Sequence, residues 1–177
     1  MIERTIRSQI LYKGKFLDFM EDHVEIEVEP PMQASRQYFV HPGGVCVVPI
    51  IDDQIALIKQ FRSPVGEIIY EIPAGKLDGK EDPFQAAKRE LQEETGYSST
   101  NWIDLGFIYP CPGYSTERLY IYLALDLVAG DQQLDHGEFV ELEMMPLKHT
   151  HELIHQGQIP DAKTIAALFL AQRYVSL

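Results

Sequence analysis

Cysteine is scarce in this chain, with only Cys46 and Cys111 among 177 residues. Two thiols give no disulfide framework, which removes the class of small secreted scaffolds held together by bridges. Basic residues are also few: 15 Lys and Arg stand against 27 Asp and Glu, a formal charge of −12 at pH 7. Neutralising phosphates takes Lys and Arg, so neither nucleic-acid binding nor attachment to an anionic membrane is expected as the main task. Long apolar runs are missing too. The longest, Val45 to Ile51 and Leu119 to Leu125, fall far short of the ~20 residues that cross a bilayer. The opening MIERTIRSQ lacks the apolar stretch of a signal peptide, and no internal repeat or low-complexity tract is visible. The expectation is a soluble, cytoplasmic protein.

What is present suits a sizeable folded core: 45% of residues are hydrophobic and 24% charged, enough for one globular domain with a small appendage. From Ile2 to Val40 the chain reads as β, with Val24, Ile26 and Val28 alternating with acidic residues and a break at Pro30 and Pro31. So small a sheet has little core of its own, so residues 1–42 are expected to pack on the main domain or on a second subunit as a dimerisation region. The main domain is expected over 43–177. It begins with Pro42-Gly43-Gly44, followed by strands Val45 to Ile51 and Gln54 to Phe61 around the tight turn Asp52-Asp53. Ile68 to Ile72, Trp102 to Tyr109, Leu119 to Leu127 and Phe139 to Met145 read as further strands, and Pro73-Ala74-Gly75 as a turn. Leu147 to His155 and Ala162 to Val175 read as helices. Strands followed by helices on a mixed sheet predict an α+β fold with helices on both faces.

The stretch Gly75 to Tyr97, GKLDGKEDPFQAAKRELQEETGY, carries the chemistry. Asp82 before Pro83 predicts a helix start, because the Asp oxygen can accept an orphan N–H and proline has none to lose. Gly96 predicts its end. On that helix Ala87 and Leu91 share a face toward a core, while Glu90 and Glu94 stack on a second face with Glu93 one step round and Arg89 four before it. Like charges at this spacing repel by a few tenths of a kcal/mol each. A divalent cation would compensate, since Mg²⁺ takes one or two carboxylates and completes its octahedron with waters and substrate phosphates. The bland reading is a solvated acidic face. Against it stands the full pattern: Gly75, five residues, Glu81, seven residues, then Arg89, Glu90, an apolar Leu91, Glu93, Glu94 and Gly96. With residue frequencies near 7%, a chance match of those seven identities is on the order of one in 10⁸ per starting position.

At every fixed position this stretch resembles the signature box of the Nudix hydrolases, Tyr97 standing where an aliphatic residue is commoner. The resemblance implies an α/β/α sandwich around a mixed sheet and a Mg²⁺- or Mn²⁺-dependent hydrolysis of a nucleoside diphosphate linked to another group. Carried over by motif position, it implies Glu90, Glu94 and the carbonyl of Ala74 as metal ligands. Glu81 and Glu93 would support metals or their waters, and Arg89 would orient the carboxylates. A base is expected from a loop outside the box: Glu138, as base or as ligand to an additional metal, with His136 or Glu93 as alternatives. KQFR at Lys59 to Arg62, EIPAGKLD at Glu71 to Asp78, PGYSTER at Pro112 to Arg118 and DAKTIAAL at Asp161 to Leu168 are similar to the ADP-ribose pyrophosphatase subgroup. That likeness implies Arg36, Arg62, Lys76, Gly113 and Glu117 as substrate contacts, Glu117 at the terminal ribose and Arg36 reaching across a homodimer. The implied reaction is hydrolysis of ADP-ribose to AMP and ribose 5-phosphate. Another nucleoside-diphosphate sugar such as GDP-mannose is the alternative within the class, and a sensing module without catalysis the alternative outside it.

One competing motif is visible. His151-Glu152-Leu153-Ile154-His155 spells H-E-x-x-H, which on a helix can hold zinc. Gly157 and Pro160 stop that helix within a turn, and no His, Asp or Glu follows Asp161 to complete three protein ligands. A short amphipathic helix with its histidines outward is expected instead.

Overall fold

The computed structural model describes residues 2–134, 137 and 139–175. The chain divides into two compact units, Met1–Gly43 with Tyr109–Arg118, and Gly44–Ile108 with Leu119–Leu177. The loop 109–118, which the sequence alone places inside the main domain, therefore clusters with the N-terminal residues.

In the first unit, β1 (Glu3–Lys13), β2 (Asp18–Ile26) and β3 (Met32–Val40) form an antiparallel three-stranded sheet. The 109–118 loop is tied to β3 by backbone bonds, the Phe39 N–H donating to the Tyr114 carbonyl at 2.8 Å and the Thr116 N–H to the Phe39 carbonyl at 2.9 Å. The sheet leaves Ile6, Ile10, Leu11 and Tyr12 of β1 exposed.

The second unit holds β4 (Gly44–Ile51), β5 (Gln54–Arg62), β6 (Glu67–Glu71), β7 (Ala74–Lys76), α1 (Pro83–Thr95), β8 (Tyr97–Ser98), β9 (Asn101–Ile108), β10 (Leu119–Leu125), β11 (Val128–Ala129), β12 (Val140–Pro146), α2 (Leu147–His155) and α3 (Ala162–Ala171). The main sheet runs β12-β5-β4-β10-β9, with β6 on β5 and β7 on β4. Only β4 and β10 are parallel, so the sheet is mixed. β4 and β10 are nearly continuous apolar runs because both their faces are covered. Val45, Val47, Tyr122 and Ala124 pack with Ala86, Ala87 and Leu91 of α1. Cys46, Val48, Ile50, Ile121 and Leu123 pack on the other face with Leu153 of α2 and Ala167, Leu168 and Ala171 of α3.

The β4–β5 hairpin keeps only two paired positions, Ile50 with Ile55 and Ile51 with Gln54, before its strands part. The chain from Glu67 to Lys76 fills the wedge: β6 pairs with the far half of β5, and β7 pairs Ala74, Gly75 and Lys76 with Cys46, Val45 and Gly44. Pro73-Ala74-Gly75 is thus not the free turn expected from its composition. The Val47 N–H donates to the Pro73 carbonyl at 2.9 Å, and open β4 backbone groups recruit the segment into the sheet. α3 ends at Ala171, short of the Val175 expected.

Candidate active site

α1 is positioned at both ends by local chemistry. Asp82 Oδ1 accepts from the N–H groups of Phe84 and Gln85, both at 3.1 Å, and Pro83 takes the position where no N–H is needed. Gly96 closes the helix at φ 75°, its N–H donating to the Gln92 carbonyl, a backbone state that a side chain would disfavour. Between these caps Ala86, Ala87 and Leu91 enter the core, which orients the helix. That orientation buries Glu90 and Glu94 as well, at 8% and 4% exposure, against the loop from β7.

The loop accommodates them by proximity. Glu94 Oε2 accepts from the Ala74 N–H at 2.7 Å. The Glu90 carboxylate lies over Gly75 so closely that a Cβ there would fall 1.9 Å from Oε1. Arg89 gathers the rest: Nε and Nη2 donate to the two Glu81 oxygens at 3.1 and 3.0 Å, and Nη1 donates to Glu90 Oε1 at 2.7 Å and Glu93 Oε2 at 2.9 Å. Nη2 also reaches the Lys76 carbonyl at 3.4 Å. The paired bonds to Glu81 foremost raise the Arg89 pKa above its ordinary value, and the same guanidinium holds the Glu81 carboxyl below its own. One guanidinium thus faces three carboxylates, and the local charge stays strongly negative.

That arrangement fits a divalent cation. Asp78, Glu90 and Glu93 line a cavity of about 80 Å³ together with Ala74, Gly75, Lys76 and Arg89, room for an ion with several of its waters. Its donors are hard oxygens, the type Mg²⁺ and similar ions take. Among the described residues no group of three or more His, Cys, Asp or Glu side chains is placed to hold a metal ion by itself. The two observations agree if the site is open, because Mg²⁺ needs only one or two carboxylates when waters and phosphates fill the remaining positions.

Ala74, Lys76, Glu81, Arg89, Glu90, Glu93 and Glu94 are therefore brought together. Arg62 is placed elsewhere in the same unit, donating Nε to Glu71 Oε2 at 2.7 Å. In the first unit, Arg36 is bonded to both carboxylate oxygens of Glu3, and Glu117 faces His41 Nε2 at 4.0 Å. Gly113 lies in the turn closed by the Tyr114 and Ser115 N–H groups donating to the Cys111 carbonyl. Glu138 and His136 lie outside the described residues.

Sequence reasoning about single residues missed a second polar cluster. Glu71, 2% exposed, is bonded by Arg62 and by Lys163 Nζ, which also pairs with Asp161 Oδ2 at 3.0 Å. Asp161 caps α3, accepting from the N–H and hydroxyl of Thr164, and the Thr164 hydroxyl accepts from the Ile72 N–H at 2.9 Å. The only signal was that Glu71 and Asp161-Ala-Lys-Thr164 fall inside the EIPAGKLD and DAKTIAAL runs. The H-E-x-x-H segment does form α2, with Glu152 and His155 exposed. His151 departs from the expected outward pose, since its Nε2 is buried with no hydrogen-bond partner among the described residues.

A mixed sheet between helical layers, with one helix presenting two buried carboxylates to the Ala74–Lys76 strand, defines an α+β class suited to holding a divalent cation. The NUDIX domain model matches residues 40–168. The chain belongs to the Nudix hydrolase family, whose members generally use divalent metal ions. It is 37% identical to the ADP-ribose pyrophosphatase of Bacillus subtilis (strain 168), over 94% of this chain and 90% of that one. It is 36% identical to the methanol dehydrogenase activator of Bacillus methanolicus, with the same coverage of each. A crystal structure of an ADP compounds hydrolase superposes with a TM-score of 0.84, covering 98% of this chain and 94% of that one at 23% identity. At that identity the likeness speaks for the fold. Among the described residues, no helix is long and apolar enough to cross a membrane.

Proposed function

We propose that this enzyme hydrolyses the pyrophosphate of ADP-ribose to AMP and ribose 5-phosphate. The observation that carries the reading is the Glu90 carboxylate seated over Gly75 and tied to Arg89, because it places Glu90, with Glu93 and Asp78, at one small cavity that Lys76 and Arg89 also line. The name of the Bacillus subtilis relative supports ADP-ribose as the substrate among nucleoside-diphosphate sugars.

Glu90, Glu94 and the Ala74 carbonyl would hold Mg²⁺ or Mn²⁺, with Glu81 and Glu93 supporting it or its waters. When bound, such an ion screens the phosphate charge and lowers the pKa of water. The protein's own part is orientation and proton transfer. Arg89 fixes Glu81, Glu90 and Glu93 in place so that no carboxylate must reorganise as the reaction proceeds. Glu138 takes the proton of the attacking water, with Glu93 or His136 next in line. The water oxygen forms a bond to one phosphorus as the bridging P–O bond breaks, and the leaving phosphate carries away the electron pair. Arg62 and Lys76 contribute positive charge to the pyrophosphate, while Arg36, Gly113 and Glu117 contact the rest of the substrate, Glu117 at the terminal ribose.

The exposed Ile6, Ile10 and Leu11 on a sheet with little core support the reading of residues 1–42 as a dimerisation region and of the protein as a homodimer. A chain with only two cysteines, Cys46 buried and Cys111 half-buried, suits the reducing cytoplasm.

The test is a panel of nucleoside-diphosphate sugars with Mg²⁺, products identified by mass. ADP-ribose is expected to give the highest kcat/KM with AMP and ribose 5-phosphate as products, and a chelator should abolish turnover. A higher kcat/KM for GDP-mannose would replace the substrate assignment.

A further inference from the structure

The DAKTIAAL run at the start of α3 has no part in the chemistry just described, yet its Lys163 and Thr164 side chains bond to Glu71 and Ile72 of the β6–β7 segment. Lys163 lies between two carboxylates, Glu71 and Asp161, and Glu71 lies between two cations, Lys163 and Arg62. The four charges balance, two positive and two negative, which is what burial of Glu71 at 2% exposure demands. Arg62 spends only Nε on Glu71, and its two terminal nitrogens make no other bond among the described residues; the side chain stays 37% exposed. A guanidinium held at Nε alone and partly exposed keeps its terminal nitrogens available to a phosphate or carboxylate.

We propose that Lys163 is a positioning residue for the reaction: it holds the Glu71 carboxylate where that group can grip Arg62 by Nε alone, so that the terminal nitrogens of Arg62 meet the substrate's pyrophosphate. The assignment rests on the reading of Arg62 as a substrate contact. Removing the Lys163 charge leaves Glu71 with Arg62 as its one cationic partner among the described residues, and Glu71 then draws Arg62 into a closer, two-pronged pair and away from solvent. Thr164 adds a steric reference: its hydroxyl, anchored on the Asp161 cap, accepts the Ile72 N–H, so the residue after Glu71 cannot slide along the strand.

Kinetics of the full-length enzyme with ADP-ribose and Mg²⁺ decide the matter. K163M is expected to raise KM about tenfold while kcat changes less than about twofold, and K163R to restore most of the affinity. R62A is expected to raise KM by itself, and adding K163M to R62A should then raise it no further. A purely structural Lys163 would lower the melting temperature and raise KM by the same factor in both backgrounds, and that result, like an unchanged KM in folded K163M, would overturn the proposal. Should K163M fail to fold, the isosteric E71Q is read against R62A by the same criteria. An unchanged KM in R62A would instead remove the substrate contact on which this proposal rests and overturn it, leaving the hydrolase reading to the substrate panel.

Discussion

The Glu90 carboxylate occupies the space in which a side chain at residue 75 would begin: an ideal Cβ on Gly75 meets Oε1 at 1.9 Å, Cδ at 2.0 Å and Oε2 at 2.4 Å. All three atoms belong to the end of one side chain, and that side chain is 8% exposed and bonded to Arg89 at 2.7 Å. The glycine is required by close approach, since it lies outside the left-handed region.

Gly75→Ala is therefore expected to push the Glu90 carboxylate out of its seat. The caps and core face of α1 are untouched, so the circular dichroism spectrum should match the parent. Turnover should fall by about 10²-fold or more, because a displacement near 1 Å of a positioned group costs that much. Near-normal kcat in G75A would show that the Glu90 position is dispensable.

Glu94→Gln tests charge apart from shape. The amide oxygen can still accept from the Ala74 N–H, the bond made at 2.7 Å in the parent, so melting temperature should stay within a few degrees. Activity with saturating Mg²⁺ should drop by roughly 10²-fold or more, since the cation loses a charged ligand. A mutant with both its fold and its rate intact would exclude Glu94 as a ligand.

Leu91→Ala probes the apolar contact that holds α1 on the sheet. Leu91 is fully buried among Val45, Val47, Ala87 and Tyr122, so truncation removes apolar burial and leaves a cavity. Urea unfolding should show a loss of about 2–5 kcal/mol. A loss below about 1 kcal/mol would mean that α1 is not held by this contact.

Alkaline stability should report on Tyr122. Burial first, then the nearby Asp104 and Asp82 charges, pushes its hydroxyl from 10.0 up to about 12. The folded state thus keeps its proton where the unfolded chain loses it, so this contribution is whole below pH 10 and disappears as pH rises through about 12. Tyr122→Phe has no such proton to release. Denaturant midpoints from pH 9 to 12 should fall more steeply for the parent than for Y122F, and parallel curves would contradict the burial argument.

Much of the site was legible because its determinants are local. Asp82-Pro83 and Gly96 mark the helix ends through backbone hydrogen bonding within four residues, and the observed Pro83–Thr95 helix agrees with them. The spacing of Glu90, Glu93 and Glu94 then follows from helical geometry, as does the i,i+4 bond from Arg89 to Glu93. By contrast, Ala74–Lys76 became a strand because β4 and β5 diverge after two pairs, and strand divergence cannot be read from either strand's sequence. Glu71 reads locally like any acidic residue at a strand end; only the arrival of α3 some ninety residues later makes it the buried centre of an ion cluster.

The sequence by itself determined the acidic helix, its caps, the apolar β4 and β10 runs and the family to which the chain belongs, since each depends on neighbours a few residues apart or on a fixed pattern of identities. The tertiary structure alone decided which carboxylates lose water, which glycine must stay bare beneath Glu90, and that Lys163 and Arg62 share Glu71. Burial and charge pairing are properties of surfaces brought together across the chain, and no local pattern encodes them.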